Sequence, residues 1–78
     1  MVTVRYFASA RAAAGVAEER LDVPTLAALR KELAARGERL ARVVDVASFL
    51  VDGRAWREGD AALPDGCTVD VLPPFAGG

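Results

Sequence analysis

The residues best placed to do chemistry are the last ones. Pro73-Pro74-Phe75-Ala76-Gly77-Gly78 finishes on a bare Gly-Gly directly after a β-like run. The carboxylate of Gly78, with an ordinary pKa of about 3.3–3.7, is ionised at pH 7 and can attack the α-phosphate of a nucleotide. Gly77 and Gly78 carry no Cβ, so they can be drawn through a narrow channel that any side chain would block. Pro73 and Pro74 stiffen the root of this segment, which reaches about 20 Å when extended. The plain alternative is a frayed end without function.

Elsewhere the chain is poor in reactive groups. It has no histidine and one cysteine, which removes a Cys–His pair and the usual metal-ligand clusters. Cys67 reads as a small core residue at the start of a strand rather than as a nucleophile. Glu18, Glu19 and Asp60 read as solvated carboxylates, and Gly53 and Gly59 as turn residues with no phosphate-binding loop around them. Arg54 and Arg57 flank Trp56, but a net charge of −1 favours a half-buried edge tryptophan over a nucleic-acid platform. No bound cofactor or metal, no nucleic acid and no membrane partner is expected. A lone cysteine and the lack of a leader-like or spanning segment point to a reducing, cytoplasmic setting.

At 78 residues and 53% apolar content the chain makes one small folded domain, although sixteen alanines inflate that figure. Val2 to Phe7 alternates with a period of two and reads as a strand. Ala8 to Val16 reads as a small-residue connection closing on Gly15, and Glu18 to Val23 as a second strand. Thr25 then caps a helix whose face carries Leu26, Leu29 and Leu33, with Glu32 and Arg36 paired at i, i+4 and Gly37 as its stop. Leu40 to Val46 is ambiguous and suggests a short turn of helix. Ala47 to Val51, a turn at Asp52-Gly53, Arg54 to Arg57, a turn at Pro64-Asp65-Gly66 and Cys67 to Leu72 complete the pattern. The order ββαβββ describes an α+β roll, a mixed sheet with one main helix on one face.

Side-chain alternation assigns faces. Val2, Val4 and Tyr6 share one side of the first strand, and Cys67, Val69 and Val71 one side of the last; these apolar sets must face the helix. Phe7 and Leu72 then fall on the outer face, and Phe75 follows them in the tail. If the first and last strands are neighbours, the three form an apolar patch at the root of the tail.

Tyr6-Phe7-Ala8 followed by Arg11 and Gly15, Leu50-Val51-Asp52-Gly53, and the run from Asp65 through Pro73-Pro74 to Gly77-Gly78 together resemble the ubiquitin-like β-grasp sulfur carriers, and within them the small subunit of molybdopterin synthase. The resemblance spans essentially the whole chain, and its most specific element is the Pro-Pro-x-x-Gly-Gly ending. Ala12 and Asp52 depart from it, standing where an acidic residue and an asparagine are common.

The resemblance implies a β-grasp domain over residues 1–72 and a flexible tail over 73–78. It implies that an ATP-dependent adenylyltransferase activates Gly78 as an acyl-adenylate, and that a sulfur donor protein supplies the sulfur of a Gly78 thiocarboxylate. The large synthase subunit, in a heterotetramer, would then receive the tail and pass sulfur to cyclic pyranopterin monophosphate. On this reading the chain is not an enzyme alone, Gly77 is the slender neck, and Phe7, Leu72, Phe75 and Arg11 contact the partner. A carrier for thiazole, tRNA thiolation or cysteine synthesis, a ubiquitin-like modifier joined to lysines, and a small interaction domain with an inert tail remain as alternatives.

Overall fold

A computed structural model describes residues 1–74 of the chain. Its elements are β1 (Val2–Tyr6), α1 (Ser9–Ala14), β2 (Glu18–Leu21), α2 (Leu26–Ala34), α3 (Glu38–Val46), β3 (Ser48–Val51), β4 (Arg54–Ala55) and β5 (Thr68–Leu72). The strands form one sheet in the order β2-β1-β5-β3-β4. Within it β1 and β5 run parallel, with Arg5 opposite Asp70 and Tyr6 opposite Val71, and the other pairs are antiparallel. This is the expected mixed sheet with helices packed on it, an α+β roll.

The alternating apolar residues drive this packing. Val4, Val69, Val71, Leu29 and Leu33 are all fully buried, with Val2, Phe49, Val51, Leu26, Leu40 and Val44 close behind. At about 1.5–3 kcal/mol for each buried aliphatic or aromatic side chain, this cluster is the main stabilising term of the domain. Cys67 lies within it as expected, and burial, with the nearby Asp52 charge, pushes its thiol pKa up.

The helices differ from the sequence expectation. Ala8 to Val16 contains α1, a single short helix stopped by Gly15 in the left-handed region, whose N–H donates to the Arg11 carbonyl at 2.9 Å. Leu40 to Val46 belongs to a nine-residue helix, as long as α2. Gly37 starts that helix rather than simply stopping the previous one: α2 ends at Ala34, and Gly37, at φ 146°, takes a backbone path open only to glycine as the N-cap of α3. Arg36 therefore leaves the helix, and its partner is Glu19 on β2 rather than Glu32. Thr25 does cap α2, its hydroxyl accepting from the Ala28 N–H at 3.1 Å.

The strands also shift slightly. Phe7 lies just past the end of β1, β2 stops at Leu21, and β4 keeps only two residues of the expected Arg54–Arg57. Asp52 and Gly53 both have positive φ, as the tight β3–β4 hairpin turn requires, and Asp52 Oδ1 accepts from the Thr68 N–H at 2.9 Å.

Candidate functional site

Alternation along β1 and β5 builds the outer face of the sheet at the point where the tail begins. Arg5 and Asp70 are cross-strand partners there, and the next outward positions are Phe7 and Leu72. The Phe7 N–H donates to the Val71 carbonyl at 3.3 Å, which extends the parallel pairing one step and brings Phe7 level with Leu72. Phe7 is 37% exposed, Leu72 half-buried, Pro73 buried and Pro74 exposed. The expected juxtaposition of Phe7 and Leu72 at the root of the tail is present. Phe75, Gly77 and Gly78 lie outside the described residues.

A polar pair holds this patch in shape. Arg5 donates from Nε and Nη2 to both carboxylate oxygens of Asp70, at 2.6 and 2.9 Å. The guanidinium carbon of Arg5 also lies 5.6 Å from the centroid of the Phe7 ring. Asp70 thus fixes a cation, and the cation lies over an aromatic ring. Asp70 is 7% exposed, the one buried charged residue among the described residues. Arg5 and Asp70 are not among the site residues expected from the sequence. Opposite charges at outward positions of two neighbouring strands were the available signal.

Tyr6, one residue before Phe7, anchors the other side of β1. Its hydroxyl donates to Glu19 Oε2 at 2.7 Å, and Arg36 donates to the same oxygen at 2.5 Å. Glu19 is therefore engaged, contrary to the expectation of a solvated carboxylate. Arg36 holds the Glu19 carboxyl below its ordinary pKa, with Tyr6 adding to the effect against the opposing pull of burial. Burial first, then Glu19, drives the Tyr6 phenol upward.

Arg11 is exposed on α1, in the short helix that follows Phe7, and makes no ion pair among the described residues. No cluster of metal-ligating side chains occurs among the described residues, and none of their helices is long and apolar enough to cross a membrane. The described residues thus offer an apolar face where the tail begins, bordered by the Arg5–Asp70 pair.

Comparison with known proteins fits this geometry. Residues 4–78 match the ThiS family. No curated protein sequence matches the chain. Among solved structures, a protein described as molybdopterin converting factor subunit 1 from Pyrococcus furiosus is 34% identical with a TM-score of 0.81, over 94% of this chain and 95% of that one. A chain in the complex of subunits 1 and 2 of the molybdopterin-converting factor from Helicobacter pylori is 25% identical with a TM-score of 0.76, over 99% and 97%. Small archaeal modifier protein 1 of Haloferax volcanii is also 25% identical with a TM-score of 0.76, over 94% and 95%. On the family match, the shared architecture and the Gly-Gly ending, the chain belongs to the ThiS family of ubiquitin-like β-grasp sulfur carriers.

Proposed function

We propose that this chain is the sulfur-carrying small subunit of a molybdopterin synthase. The Gly78 carboxylate attacks the α-phosphate of ATP on an adenylyltransferase, releasing pyrophosphate and leaving an acyl-adenylate. A sulfur nucleophile delivered by a donor protein then displaces AMP, and Gly78 becomes a thiocarboxylate. The loaded tail enters the large subunit and donates its sulfur to cyclic pyranopterin monophosphate, towards the dithiolene of molybdopterin. Catalytic groups and the ATP site belong to the partners. This chain supplies the sulfur-bearing end and a docking face built from Phe7 and Leu72, continued by Phe75, with Arg11 at its edge.

The observation that carries this reading is the near full-length likeness to a chain of the Helicobacter pylori complex of subunits 1 and 2, beside the likeness to subunit 1 from Pyrococcus furiosus. The apolar patch at the root of the tail is what such a docking role calls for. Co-purification from the native host followed by intact-mass measurement tests the reading. A large synthase subunit as partner, with a mass gain equal to exchange of one oxygen for sulfur, is the expected result. An unmodified chain without that partner would overturn it.

The likeness to small archaeal modifier protein 1 favours one further reading, in which activated Gly78 is joined to lysines of target proteins. The two differ in the fate of the activated carboxylate. Isopeptide-linked adducts in the same preparation would identify the modifier.

A further inference from the structure

A second surface lies away from the Phe7 patch, around the β3–β4 edge. Leu26 and Arg30 of α2, Ser48 and Phe49 of β3, and Trp56 and Arg57 after β4 line a groove of about 390 Å³. Its floor is tied down. Loop residue Gly59 accepts from the Ala27 N–H at 2.9 Å, and the Trp56 indole N–H donates to the Glu58 carbonyl at 3.0 Å. The groove is therefore preformed, with a half-buried indole on one wall.

Two properties of this groove are unexplained by the fold. Its charged lining residues are Arg30 and Arg57, with no acid among them, and neither arginine has an ion-pair partner among the described residues. Arg30 is held along the groove, its guanidinium carbon 5.7 Å from the Phe49 ring centroid. The backbone edge is also incomplete. β4 ends at Ala55, and the last cross-strand bond runs from the Trp56 N–H to the Phe49 carbonyl at 3.0 Å. The Asp52 N–H to Thr68 bond sets the β3–β5 alternation so that the groups of Phe49 point to the outer edge, where its N–H and the Ala47 carbonyl meet no backbone partner among the described residues. These two groups flank Ser48, the spacing that one residue of an added parallel strand satisfies.

We propose that this groove receives an extended acidic segment of a partner protein, laid alongside β3 in parallel. Its backbone pairs with the Phe49 N–H and the Ala47 carbonyl, its carboxylates meet Arg30 and Arg57, and an apolar side chain packs on Trp56. The open backbone edge selects a peptide over a free anion, and the uncompensated arginines select an acidic one. Ser48 pairs with Leu72 on its other side, so β3 separates a segment bound here from the root of the tail and leaves Phe7 uncovered.

Trp56 is the sole tryptophan and reports binding directly. The full chain is titrated with a short blocked peptide alternating valine and aspartate, and with its valine–lysine counterpart. The acidic peptide should give a saturable shift in Trp56 emission that weakens with added salt, and the basic peptide none. The Phe49 amide should exchange more slowly in the acidic complex. Arg30→Glu combined with Arg57→Glu should weaken binding at least about tenfold, while Arg39→Glu on α3 leaves it unchanged. Both replaced arginines are exposed, and the salt dependence of the unmodified chain gives an independent measure should the double variant misfold. Equal responses to the two peptides, an unchanged Phe49 amide, or full affinity in a folded double variant would each overturn the proposal.

Discussion

Replacing Tyr6 with phenylalanine deletes one oxygen from a residue that is 1% exposed and leaves the ring that fills the core. No cavity is created, so the cost is that of the hydroxyl's bond to Glu19. Hydrogen bonds to charged groups contribute about 1.5–3 kcal/mol. Here the acceptor keeps Arg36 and its side chain is 22% exposed, so it is not stranded. The low end applies, and Tyr6→Phe should cost about 1–2 kcal/mol. Glu19→Ala should cost more, because it leaves the buried Tyr6 hydroxyl without its acceptor and releases Arg36 as well. With a urea slope of about 1 kcal/mol/M for a domain this small, the Tyr6→Phe midpoint should fall by about 1–2 M. Trp56 fluorescence and far-ultraviolet dichroism, followed together, read it.

The pH dependence separates the bond from a packing effect. Glu19 is a carboxyl whose pKa is depressed in the fold, so its contribution is present above its ordinary value of 4.5 and is lost as pH falls through the depressed one. The gap between the unmodified chain and Tyr6→Phe should therefore narrow in acid. The phenol is shifted the other way, so its contribution is complete below its ordinary value of 10.0 and is lost as pH rises beyond it. Tyr6→Phe should lack that alkaline loss. A variant within about 0.3 kcal/mol of the unmodified chain, or one costlier than Glu19→Ala, would refute the reasoning.

Adding one alanine after Gly78 should abolish thiocarboxylate formation by intact mass without changing the amide spectrum, because the reacting carboxylate moves to a residue with a side chain. Phe7→Ala should weaken binding to the large subunit by about 1–3 kcal/mol in calorimetry, as expected for a partly exposed aromatic anchor. Leu33→Ala, at a fully buried position on α2, should cost about 2–5 kcal/mol in chemical denaturation. Cys67 should resist alkylation by iodoacetamide at pH 8 in the folded chain and react in urea, since burial both shields the thiol and raises its pKa.

The strands and their faces were legible because alternation is a local property. Val4 and Val69 announce their own side of the sheet, and the parallel β1–β5 pair then brings Phe7 level with Leu72. The helices were less legible. Four of the six residues of α1 are alanine, so it carries no apolar period to detect, and its stop depends on the left-handed conformation of Gly15. In α3, Leu40 and Val44 have the right spacing, but the helix begins on a glycine with no side-chain cap. Contacts between distant residues were beyond local reading altogether. Glu19 meets Tyr6 and Arg36 only because β2 folds back on β1 and the chain leaves α2 early. Likewise Asp70 meets Arg5 only because β5 pairs with β1 across the length of the chain.

The parallel pairing of β1 with β5 has a consequence for when the molecule becomes itself. β5 is the central strand of the sheet and the last of the five to be synthesised, joining edges made of β1–β2 and β3–β4. Until it emerges, the growing chain holds two separate hairpin-like fragments whose inner faces have no common partner. A truncated product that stops short of Thr68 lacks the Asp70 that fixes Arg5 and the strand that aligns Phe7. Such a product presents no assembled face to a partner. The sheet thus acts as its own proofreader of length: a chain brings Phe7 and Leu72 together only after making the strand that leads into the tail.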